Sequence, residues 1–124
     1  MSTPLTLVAL LLVITVLSLR VSQLRLRHRV SLGDGGHKDL LVAVRAHGNG
    51  LEQGSLYAVL LLAHAQLHLG PDAWVLVANA AFVAARVVQP LALFGRWLRL
   101  RQLAHLASVA LQWVVAVRLL LGVP

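Results

Sequence analysis

The chain contains no cysteine. That absence excludes disulfides, thiolate metal sites and a cysteine nucleophile, so any thiol chemistry must use a thiol supplied by a ligand. Charge is nearly as scarce. Only 12% of the 124 residues are charged and four are acidic, against 59% hydrophobic residues and a mean hydropathy of +0.82. Such a composition does not fit an ordinary soluble domain of this length and reads as one integral membrane domain. Aromatic residues make up 5% and are not interleaved with the basic ones. The formal charge of +7 and the pI near 11.8 are therefore not the footprint of nucleic-acid binding. The bases flank apolar segments, as membrane topology requires. No Lys or Arg precedes the first apolar stretch and no small-residue cleavage pattern follows it, so this segment is expected to stay as an anchor.

The apolar runs lack the period-two alternation of barrel strands, which leaves helices. Four spans are expected, at about residues 4–26, 40–69, 73–93 and 103–121, forming an all-α, integral membrane four-helix bundle in a single domain over 1–124. The first apolar run, from Pro4 to Leu19, is just under spanning length and gains it by continuing through Arg20 to Leu26. Gly70, Pro71 and Asp72 form a stop-and-restart signal that demands an antiparallel hairpin. Pro90 should bend or loosen the third span. In the loop from Ser31 to Asp39 the glycines read as a turn feeding a helix, with Asp39 as its N-cap.

Orientation follows from the distribution of bases. The link between spans one and two carries Arg20, Arg25, Arg27, Arg29, Lys38 and Arg45; that between three and four carries Arg96, Arg99 and Arg101; the hairpin between two and three carries none. The positive-inside rule places both basic links in the cytoplasm and both termini outside.

One polar strip enters the second span. At 100° per residue, with Arg45 at zero, Asn49 falls at about +40° and Glu52 at about −20°, and Leu56 continues the line into the apolar core. His47 faces away and Tyr57 looks elsewhere. A carboxylate in a bilayer costs several kcal/mol unless it is paired, solvated or protonated, so Glu52 needs partners. Arg45 and Asn49 are local ones. Arg86, inside the third span, has the reverse requirement, and counting from the hairpin puts it within about 6 Å of the depth of Glu52. An Arg86–Glu52 contact is the natural outcome. The same pair could equally be a packing device without chemistry.

The histidines do not make a metal site. His64 and His68 are four apart on one helical face, yet no third strong ligand accompanies them, so hydrogen bonding is expected and no metal. His105 lies near the basic end with Arg101. Trp74 and Trp97 read as interfacial anchors, Trp113 as packing, and Asn79 as an interhelical hydrogen-bonding group.

The segment RAHGNGLE, Arg45 to Glu52, resembles the arginine, asparagine and glutamate motif on the second helix of the MAPEG family, membrane-associated proteins in eicosanoid and glutathione metabolism. The likeness extends over LSLRVSQLRLRHRVSLGDGG, ARVVQPLALFG and a fourth helix, and is strongest to the small bacterial branch. It implies a homotrimer in the bacterial inner membrane, with glutathione as cosubstrate held between subunits near the cytoplasmic face. It also implies roles. Arg45, Asn49, Glu52 and Arg86 would bind glutathione, with Arg25, Arg27 or Arg20 helping to hold its carboxylates. Arg101, with Arg99 in reserve, would stabilise the thiolate as the catalytic residue. A lipophilic small molecule would arrive through the lipid, to be conjugated or, as a lipid hydroperoxide, reduced. Several arginines and one glutamate match the two carboxylates and one ammonium of glutathione, and an arginine at the sulfur lowers the thiol pKa.

The chain also departs from the family pattern. Gln53, Gly54 and Ser55 replace an aromatic residue and a following proline; Gln89 stands where histidine is usual, Leu93 where the well-known enzymes carry tyrosine, and Gly48 where some carry another arginine. These losses favour the alternative of a noncatalytic membrane protein that keeps the bundle for assembly or ligand binding. A proton or ion pathway along Glu52 and Arg86 lacks a continuous polar series.

Overall fold

The computed structural model describes residues 1–67 and 73–122, so the expected hairpin turn at Gly70–Asp72 and His68 lie outside the described residues. Four helices follow one another: α1 Thr3–His28, α2 Lys38–Gln66, α3 Ala73–Phe94 and α4 Leu98–Gly122. No strand occurs among the described residues. α2 and α3 are the two inner elements. Each packs against all three other helices, while among the described residues the backbones of α1 and α4 stay apart.

By length and composition α1, α3 and α4 are each able to cross a membrane. α2 is long enough but is not among them, because the polar residues of its first half, Arg45 to Gln53, dilute its hydropathy. Its other half is apolar and supplies the main core. There Leu10 of α1, Tyr57 and Leu61 of α2, Phe82 of α3 and Val115 of α4 pack together. Tyr57 stacks on Phe82 with ring centroids 3.7 Å apart, and its hydroxyl donates to Asn79 Oδ1 at 2.9 Å. Asn79 in turn donates to the Met1 carbonyl at 2.9 Å. A buried polar cluster thus ties α2 and α3 to the N-terminus with its hydrogen bonds satisfied. A second, smaller core of Leu24, Leu40 and Ala43 joins α1 to α2 at the basic end.

Close approach of α1 and α2 rests on Gly50 and Gly54, both buried and one turn apart. A Cβ on Gly50 would lie 3.2 Å from Leu17 Cδ1, and one on Gly54 3.2 Å from Ile14 Cδ1. Small residues at this spacing let helix backbones approach within a membrane. Gly54 therefore has a packing role that its departure from the family pattern did not reveal.

Both basic links begin in the same way. α1 ends with Arg29 at φ 56°, its amide donating to the Leu26 carbonyl and that of Val30 to the Arg25 carbonyl. α3 ends with Arg96 at φ 59°, its amide donating to Leu93 and that of Trp97 to Ala92. These are two Schellman closures with arginine where glycine is preferred. Pro90 sits buried inside α3 without ending it, and withholds the amide that would otherwise serve the Arg86 carbonyl. α4 starts at Leu98, five residues before the expected 103, since a three-residue link suffices between antiparallel helices. Asp39 is not an N-cap. His37 holds that position, and Asp39 in the first turn accepts from its neighbour's amide, Leu40, and from His28 Nε2, each at 2.9 Å.

Candidate functional site

An open cavity of about 520 Å³ lies where α2, α3 and α4 meet. α2 contributes Leu41, Val42, Arg45 and Asn49; α3 contributes Gln89 and Leu93; α4 contributes Arg101, Gln102 and His105. The helical repeat explains the α2 set, because 41, 45 and 49 are successive turns of one face. Arg101 enters because α4 starts early, which sets it in the first turn opposite the N-terminal half of α2. Among the described residues two guanidinium groups and no carboxylate line the cavity. Its field is positive, and it fits an anionic ligand.

The sequence-derived residues separate into groups. Arg45, Asn49 and Arg101 share this cavity, joined by His105 and by the two substituted positions, Gln89 and Leu93. Arg86 lies beside it, 2% exposed, donating to the Asn49 carbonyl at 3.5 Å and to the Ser108 hydroxyl, with its Cζ 5.6 Å from the centroid of the Phe82 ring. Its Nε is buried and has no hydrogen-bond partner among the described residues. Arg86 therefore braces the backbone from which Asn49 projects.

The Arg86–Glu52 contact expected from depth does not form within the chain. Glu52 is exposed, and among the described residues the one ion pair is His28–Asp39. Counting residues from a turn gives height along the helix but not azimuth, and azimuth turns Arg86 to Ser108 and Glu52 outward. Leu56 likewise does not lead into the core; it is 57% exposed and lines a shallow apolar groove with Trp113, itself 67% exposed rather than packed.

The helix-one arginines are elsewhere. Arg25 donates to the Ser31 carbonyl at 2.7 Å and closes the loop, while Arg27 is exposed. Arg20 lines a separate crevice, and Arg99 is exposed outside the cavity. His64 is buried, edge-on to Trp74, and among the described residues its Nε2 has no hydrogen-bond partner. Sequence reasoning missed Ser108. A lone serine in an apolar span is the signal that would have found it, since a buried guanidinium on a neighbouring span needs an acceptor.

A model of the MAPEG family matches residues 3–121, nearly the whole described bundle. The chain belongs to the MAPEG family. Over 45 residues this MAPEG protein is 44% identical to the inner membrane protein YecN of Escherichia coli strain K12, and equally to that of E. coli O6:H1 strain CFT073. The aligned segment covers 36% of the chain and 34% of each relative, so the chain spans about a third of the length of the curated relatives it matches. No solved structure matches. The four helices expected from the apolar runs are consistent with the family's bundle, and the protein is a membrane protein.

Proposed function

We propose that this MAPEG protein binds glutathione, or a similar anionic thiol, in the cavity of α2, α3 and α4. The observation that carries the reading is that Arg45, Asn49 and Arg101, drawn from two helices more than fifty positions apart in sequence, line one positive cavity free of carboxylates. Arg45 is suited to a glutathione carboxylate, and Arg101 to the sulfur as thiolate.

Glu52 supports a site shared between subunits of a homotrimer. It lies about 21 Å along α2 from Lys38, half-way down the helix, and exposed on the protomer. A lone protomer would turn this carboxylate toward hydrocarbon at a cost of several kcal/mol. A neighbouring subunit, with the ammonium of the ligand between them, removes that cost. The likeness to an inner membrane protein and the positive-inside rule favour the bacterial inner membrane, with both basic links in the cytoplasm and both termini outside.

Binding and catalysis separate at this site. An enzyme would conjugate the thiolate to a lipophilic electrophile or reduce a lipid hydroperoxide. A specific observation favours binding without turnover: Gln89 and Leu93 form the cavity wall, so the histidine and tyrosine usual in the family are missing from the surface facing the ligand.

Glutathione is expected to raise the melting temperature of the detergent-solubilised protein, and Arg45→Ala and Glu52→Gln to reduce that rise. Identical melting with and without glutathione removes the proposal. A thiolate absorbance band on rapid mixing, lost in Arg101→Ala, would mark an enzyme; protection without band or turnover marks a binding protein.

A further inference from the structure

A second crevice, of about 200 Å³, opens at the same end of the bundle on the α1 side of α2. Three cations converge on it from three parts of the chain: Arg20 from α1, Lys38 from the first residue of α2, and Arg96 from the link between α3 and α4. Asp39 is the one carboxylate on its wall, and both its oxygens are engaged, with His28 and with the Leu40 amide. The side chains of Arg20, Lys38 and Arg96 make no hydrogen bond or ion pair among the described residues. With four acidic residues in the whole chain, the protein has few carboxylates of its own to offer them.

The rest of the wall is apolar. Leu24 is buried at its base and Phe94 half-open at its rim, with the exposed indole of Trp97 next to Arg96. Lys38 and Arg96 lie at helix ends and Arg20 two turns inside one. A crevice lined by three cations and an apolar wall, at the basic ends of apolar helices, matches an anionic group that is attached to hydrocarbon. Basic pockets between transmembrane helices bind lipid headgroups by this combination.

We propose that the crevice of Arg20, Lys38 and Arg96 binds the phosphate of an anionic phospholipid headgroup, with the acyl chains leaving along Leu24 and Phe94. The crevice adjoins the Arg45–Arg101 cavity and shares Val42 and Leu93 with it, but none of its three cations lines that cavity. It does not depend on glutathione binding.

The test uses the full chain in neutral detergent. Dioleoylphosphatidylglycerol, dioleoylphosphatidylcholine and inorganic phosphate are added separately, and the readouts are melting temperature and lipid retained in native mass spectrometry. Phosphatidylglycerol is expected to stabilise the protein and remain bound, and phosphatidylcholine to do neither. Lys38→Gln and Arg96→Gln should each weaken phosphatidylglycerol about fivefold, at roughly the contribution of one basic residue at an anionic surface. Arg99→Gln, an equal change of charge outside the crevice, should leave retention unchanged, and Arg20→Lys should preserve it. Far-ultraviolet circular dichroism verifies that each variant is folded. Equal retention of the two lipids, or an equal loss in Arg99→Gln, overturns the site. Protection by inorganic phosphate matching that by phosphatidylglycerol, and lost in the same variants, supports a phosphate site and overturns the lipid as its source.

Discussion

Arg86 of α3 and Ser108 of α4 are hydrogen-bonded across a fully buried interface, and the same hydroxyl donates to the Ala104 carbonyl at 2.8 Å. Ser108 thereby couples the guanidinium to the backbone of α4, while the other arm of Arg86 reaches the Asn49 carbonyl on α2. Removing one partner of a buried charged group leaves the other desolvated and unpaired. Ser108→Ala is expected to destabilise the protein by about 1–3 kcal/mol. Ser108→Thr, which keeps the hydroxyl, should retain most of that stability. Thermal unfolding in detergent decides it, and an alanine variant as stable as the parent would remove the role given to the serine.

The seam between α1 and α2 makes a steric prediction. At Gly54 a methyl group meets only the far end of Ile14, at 3.2 Å, so Gly54→Ala is accommodated by a small rotation of that side chain. Gly54→Leu places three further carbons where α1 runs and is expected to cost about 1–3 kcal/mol by overpacking. A leucine variant that melts with the parent would show that the helices can separate freely.

Arg29 carries a backbone cost that glycine would relieve. A non-glycine residue in the left-handed region costs about 1–2 kcal/mol, and Arg29 at φ 56° is exposed on the loop. Arg29→Gly should therefore raise stability by about 1 kcal/mol, net of the added freedom of the unfolded chain. Arg96→Gly should relieve the same cost at φ 59° yet lose phosphatidylglycerol, so melting temperature and lipid retention move in opposite directions in one variant.

Asp39 sets an acid limb. The hydrogen bond from His28 holds its carboxyl below the ordinary value of 3.8. Because the folded value is the depressed one, the contribution to stability is complete above the unfolded value and is lost as pH falls through the folded value. The advantage of the parent over Asp39→Asn should accordingly shrink as pH is lowered below about 3.8. Melting curves of the two proteins over that range test the sign; a gap that widens on acidification contradicts it.

Much of the molecule was legible in the residues alone. Long apolar runs separated by basic links can satisfy their backbone in hydrocarbon only as helices, and this dictated four helices and their alternation. The 3.6-residue repeat put Arg45 and Asn49 on one face. Likeness to a family motif pointed to Arg101 as well, and these three do line one cavity. The strip as a whole did not behave as the repeat alone implied, since Glu52 and Leu56 face outward from the bundle.

Composition and the order of residues by themselves determined that this is a membrane-embedded helical protein with its cations concentrated in two of the three links, because hydropathy and charge are read along the chain without knowing which helices touch. Only tertiary structure decided which charges meet. Whether Arg86 faces Glu52 or Ser108, and whether Arg20 joins Arg45 or Lys38 and Arg96, depends on the rotation of each helix about its axis. That rotation is set by contacts such as Gly54 against Ile14 and Tyr57 against Phe82, made between residues far apart in sequence.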